Sequence, residues 1–103
     1  MTQKTKLILR WDIKQETESE YFEFMVSEFI PVINRLGIRD VQAWYTLFGV
    51  CEQILFVGVA ENLEQMRFIL KSESWETLRS RLTDLVDNFE QKVIGNASGS
   101  FQF

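Results

Sequence analysis

Lys6-Leu7-Ile8-Leu9-Arg10-Trp11-Asp12-Ile13-Lys14 alternates with a period of two. Leu7, Leu9, Trp11 and Ile13 share one face, and Lys6, Ile8, Arg10, Asp12 and Lys14 share the other. The spacing predicts a strand whose wholly apolar face lies on a core. The next pattern has a helical period. Thr17 with Glu20 three residues on has the spacing of a capping box, and Glu16 and Glu18 suit the positive end of a helix. Beyond them Tyr21, Phe22, Met25, Val26, Phe29, Ile30, Val32, Ile33 and Leu36 cover about half of a helix circumference. Pro31 predicts a kink or break where the Ser27 carbonyl loses its donor. Gly37 supplies a left-handed end.

A hairpin follows, with strands over roughly 40–48 and 53–60 and a turn at Gly49, beside Val50, Cys51 and Glu52. Val41, Ala43, Tyr45 and Leu47 alternate with Gln42, Trp44, Thr46 and Phe48, and the run from Ile54 to Val59 is apolar on both sides. A strand apolar on both faces is buried on both faces. Asn62 with Gln65 opens a second helix carrying Leu63, Met66, Ile69 and Leu70, and Ser72-Glu73-Ser74 interrupts it, a serine recapping a second segment. Trp75, Leu78, Leu82, Leu85, Val86, Phe89 and Val93 form that segment's stripe, and Gly95 ends it or starts the last connection. The tail Asn96–Phe103 is expected to supply the last strand.

The order is therefore strand, helix, strand, strand, helix, strand in one domain spanning 1–103. This is an α+β, ferredoxin-like βαββαβ arrangement with an antiparallel sheet. Right-handed crossovers place both helices on one face of the sheet. The opposite face would then expose apolar side chains of the hairpin strands, a patch larger than monomers usually leave in water. A second copy, packed sheet against sheet, is the expected cover.

Composition narrows the functional classes. The charged fraction of 25% with 46% hydrophobic residues is that of a globular domain rather than a disordered one. A net charge of −4 with scattered Lys and Arg argues against nucleic-acid binding. The apolar stretch at Leu7–Leu9 is too short for a signal sequence or a membrane span. A lone Cys51 forms no intrachain disulfide, so the expectation is a cytoplasmic protein without membrane attachment. Nothing cationic flanks that thiol, and Glu52 would raise its pKa rather than activate it. There is no histidine, hence no imidazole base and no histidine-ligated metal or haem. Glu16, Glu18, Glu20, Glu23 and Glu28 scatter around the first helix and read as a solvated face, not a metal site. The expectation is no metal and no cofactor.

The Leu-Ile-Leu-Arg-Trp strand, the helix running from Phe22 through Pro31 to Gly37, Ser72-Glu73-Ser74-Trp75 inside the second helix, and a terminal Gly-Ser-Phe-Gln-Phe together resemble the dimeric α/β-barrel superfamily, the group that includes the antibiotic-biosynthesis-monooxygenase-like proteins. The resemblance spans nearly the whole chain and implies a homodimer in which two sheets pack as a barrel. It also implies a ligand cavity between sheet and helices, lined here by Trp11, Phe22, Phe29, Trp75 and one of Trp44 and Tyr45. Haem-degrading members use a histidine on the second helix and an asparagine on the first strand; this chain has neither.

Each candidate has a structural reading beside the functional one. The aromatic residues are a slot for a flat, apolar molecule or simply a ring-rich core. Tyr21 and Tyr45 could donate a proton, yet no base accompanies them. Arg10 and Asp12, same-face neighbours on the first strand, are a polar pair that binds substrate or locks the dimer. Phe24, off the main stripe, is the one hint of an adaptor surface. The expectation is a homodimeric barrel that at most binds a small apolar or aromatic molecule. The alternative is a cofactor-independent monooxygenase or isomerase acting on an aromatic substrate, and the sequence leaves open whether the chain is an enzyme.

Overall fold

In the computed structural model, which describes residues 4–48 and 51–95, the alternation around Trp11 forms β1 (Thr5–Ile13). Leu7, Leu9, Trp11 and Ile13 are all buried, so the apolar face is the floor of the core. β3 (Cys51–Ala60) pairs along one side of β1, with β2 (Arg39–Phe48) outside it, and β4 (Val86–Ile94) pairs along the other. The order is β2-β3-β1-β4 and every pairing is antiparallel. This is the ferredoxin-like α+β arrangement. Leu9 faces Phe56 and Trp11 faces Ile54 across the ladder, so the same side of β3 completes the floor. Gly58 is required there, because a Cβ on it would stand 2.3 Å from Cγ2 of Ile38.

The first crossover is less regular than its apolar stripe suggests. A 3-10 turn at Gln15–Thr17 leads into α1 (Glu18–Phe24), a π-helical turn (Met25–Phe29) and α2 (Ile30–Leu36). Pro31 falls in the first turn of α2, where a missing N–H costs least. The wide turn just before it, closed by the Ile30 amide donating to the Met25 carbonyl, absorbs the proline's demand. One extra residue in that turn shifts the helix phase. Tyr21 and Phe24 are buried before it and Phe29 and Ile33 after it. Phe22 is 47% exposed and Val26 76%, so both leave the expected stripe and Phe24 joins the core. Thr17 does not cap α1 with its side chain. Its hydroxyl instead donates to the Leu85 carbonyl at 2.9 Å, tying the start of α1 to the end of a later helix. Gly37 ends α2 with a φ of 111°, as its position predicts.

The second crossover keeps the expected interruption. Asn62 caps α3 (Leu63–Lys71) by accepting from the Gln65 amide, and Ser72 caps α4 (Glu73–Leu85) by accepting from the Trp75 amide. The end of α4 corrects the sequence reading. The stripe running to Val93 is not one helix: α4 stops at Leu85 and the chain enters β4 at Val86 with no loop between them. Pairing with the free edge of β1 satisfies the backbone in place of further helix. A bulge in β4 sets Asn88 and Phe89 opposite Trp11 alone, with Asn88 at φ 55°. Phe89 thereby packs on the core. The expected turn at Gly49 and Val50 and the expected strand at 96–103 lie outside the described residues. No helix among the described residues is long and apolar enough to cross a membrane.

Candidate functional site

Trp11 is the centre of the space between sheet and helices. Phe56 and Phe89 stack on its indole with centroids 6.2 and 6.3 Å away, and Tyr21 and Phe29 meet it edge-on at 6.3 and 6.1 Å. Phe29 also meets Phe56 at 5.5 Å and Trp75 at 6.3 Å. Such edge-to-face and offset arrangements are the favoured ones for aromatic rings. The indole Nε1 donates to the Tyr21 oxygen at 2.9 Å, which satisfies the one polar atom that Trp11 brings into the core. Burial pushes the Tyr21 phenol up to about 12, against the lowering effect of that hydrogen bond. Near neutral pH it is a fixed neutral group and not a proton carrier.

Three of the six aromatic candidates, Trp11, Phe29 and Trp75, are brought together here as packed rings. The other three stand apart. Phe22 faces outward on α1, although its ring lies 5.1 Å from that of Tyr21. Tyr45 is opposite Ile54 and so shares the helix-side face, but on the edge strand, 54% exposed. Trp44, opposite Leu55, is on the other face and 48% exposed.

That other face holds a groove of about 680 Å³. Its apolar part is Ile8, Trp44, Leu55 and Val57, and its polar part includes Lys6, Arg10, Lys92 and Glu90. β1, β2, β3 and β4 all contribute, because residues two apart on each strand point the same way. Arg10 pairs with Glu90, its neighbour on β4. Asp12 accepts from Gln53 at 3.2 Å and from Asn88 at 2.8 Å. The two members of the expected polar pair are thus each engaged with other side chains. Ile8, Leu55 and Val57 had a visible signal in the two-sided apolar strands. Lys92 had none, since its segment has the spacing of a helix.

A smaller hollow of about 260 Å³ lies between α1 and α4, where Arg81 pairs with Glu28 and covers the Phe24 ring at 5.2 Å. No cluster of three side chains suited to hold a metal ion is found among the described residues.

Solved structures share this architecture across almost their whole length. The hydroxynitrile lyase from Passiflora edulis superposes with a TM-score of 0.77 at 6% identity, covering 97% of this chain and 98% of that one. The shared fold is the ferredoxin-like α+β one. A provisionally named antibiotic biosynthesis monooxygenase from Nitrosomonas europaea matches with a TM-score of 0.69 at 9% identity, over 98% and 97% of the two chains. An ethyl tert-butyl ether d (EthD) family protein from Bacillus halodurans matches with a TM-score of 0.70 at 11% identity, over 93% and 99%. Identities this low show a shared fold and carry no activity across. No family model matches the chain, and no curated protein matches it.

Proposed function

We propose that this α/β-barrel chain works as a homodimer joined through its open sheet face, and that it binds a small apolar or aromatic molecule there rather than transforming one. The groove of about 680 Å³ around Trp44 and Leu55 carries the reading. Four strands at ~4.8 Å spacing and nine residues at ~3.3 Å rise make a sheet face of roughly 570 Å². With side-chain relief that approaches the ~800 Å² per partner of ordinary stable interfaces. Leu55 lies on central strand β3 and is 38% exposed, a position that a facing sheet would bury.

The helix-side space favours binding elsewhere, because rings occupy the surroundings of Trp11 and Trp75. Monooxygenase or isomerase chemistry needs a proton acceptor at the wall of the ligand site. At the groove the described carboxylate, Glu90, is held by Arg10, and the buried phenol of Tyr21 lies on the opposite side of the sheet and already accepts from Trp11.

Light scattering at micromolar concentration tests the association: the expected mass is twice the chain's 12.2 kDa. Leu55→Lys should give a folded monomer with unchanged far-ultraviolet circular dichroism. A monodisperse wild-type monomer overturns the reading.

A further inference from the structure

The groove on the open face is divided by charge. Trp44, Leu55 and Val57 from β2 and β3, with Ile8 from β1, make its apolar half. Lys6, Arg10 and Lys92 from β1 and β4 stand along the other half, and Glu90 is the one carboxylate among the described lining residues. Glu90 is already bonded to Arg10. Arg10 and Glu90 cancel, and Lys92 gives the described lining a cationic end in a chain whose net charge is −4. The strand register puts Lys92 directly across from Ile8, which sets an ammonium beside the apolar floor.

Two such faces brought together would confront like charges where water is being displaced, and repulsion grows as the local dielectric falls. A bound anion relieves that cost, and the apolar half of the groove selects what the anion is attached to. We infer that the open-face groove binds a small amphipathic carboxylate with an apolar or aromatic body, and that its binding strengthens the association of two copies. The inference rests on the homodimer reading above. By linkage, a ligand that prefers the dimer lowers the dimer's dissociation constant by the same factor with which dimerisation tightens the ligand.

The test is a sedimentation dilution series at fixed ionic strength, run alone, with sodium naphthoate, and with naphthylmethanol, which has the same ring system without the charge. Naphthoate should lower the dimer dissociation constant about tenfold, within the usual range of linkage, and naphthylmethanol should do markedly less. Lys92→Gln should shrink the naphthoate effect and leave that of naphthylmethanol unchanged. Trp44 is half-exposed whereas Trp11 and Trp75 are buried, so quenching of its fluorescence reports occupancy of the groove independently. A dimer indifferent to naphthoate, or one that responds equally to both compounds, overturns the inference and leaves the homodimer reading intact. A chain that stays monomeric at every concentration overturns that reading, and the inference with it.

Discussion

The Trp11 indole donates its only N–H to the Tyr21 oxygen at 2.9 Å inside a buried cluster of largely apolar side chains. Strand β1 and helix α1 are joined there by a polar contact with no solvent to replace it. Tyr21→Phe keeps the ring and strands the indole N–H, which should cost about 1–3 kcal/mol. Urea denaturation measures it. A loss below 0.5 kcal/mol, by the same scale, would mean that the hydrogen bond adds nothing net.

The same phenol should govern alkaline stability. Its folded-state value of about 12 lies above the free phenol's 10.0, so the unfolded chain releases this proton first as pH rises. Stability from Tyr21 is fully present below the unfolded value and is lost as pH climbs through the folded one. Wild type should therefore lose stability more steeply than Tyr21→Phe between pH ~10 and ~12. Denaturation midpoints across that window, together with the phenolate absorbance, which in the variant falls to that of Tyr45 alone, give the comparison.

Trp75 is buried against Phe29 at the start of α4. Trp75→Ala should cost about 3–5 kcal/mol through the cavity it leaves. An unchanged melting temperature would show that the rings leave room for a ligand after all.

Gly58 and Ile38 should be coupled, since a Cβ at the glycine meets the isoleucine methyl at 2.3 Å. Gly58→Ala is expected to cost about 1–3 kcal/mol by overpacking. In the background of Ile38→Ala the added methyl has space, and the penalty should fall by at least ~0.5 kcal/mol, the threshold at which a double-mutant cycle detects contact. Strict additivity would contradict the packing.

Arg10 and Asp12 should behave as independent residues. Each has its own partners, Glu90 for the first and Gln53 with Asn88 for the second. A cycle on Arg10→Ala and Asp12→Ala should show coupling below ~0.5 kcal/mol. Exposed as it is, the Arg10–Glu90 pair itself should contribute only ~0.2–1 kcal/mol. Larger coupling would restore the idea of a joint polar lock.

Period and punctuation were legible wherever the backbone is regular. The alternation of β1, the glycine after Leu36 and the serine between α3 and α4 all mean what their spacing implies. Two irregularities broke the reading, and each adds one residue. The π-helical turn displaces the apolar stripe of the first crossover, which put Phe22 inside and Phe24 outside on paper. The bulge at Asn88 and Phe89 interrupts the alternation of β4, so Leu85, Phe89 and Val93 kept a false helical spacing. The site followed the same limits. The apolar half of the groove showed in the composition of β3, while its cationic half depends on a strand that spacing concealed.

The direct passage from α4 to β4 leaves no slack at Leu85–Val86, and the Thr17 hydroxyl pins the Leu85 carbonyl beside it. Chain length at that joint is consequently a fixed quantity. One residue inserted there would slide β4 along β1 and exchange its two faces, turning Phe89 away from Trp11 and sending Lys92 toward the core. The joint works as an indexing stop: helix position dictates which side of the last strand each residue presents.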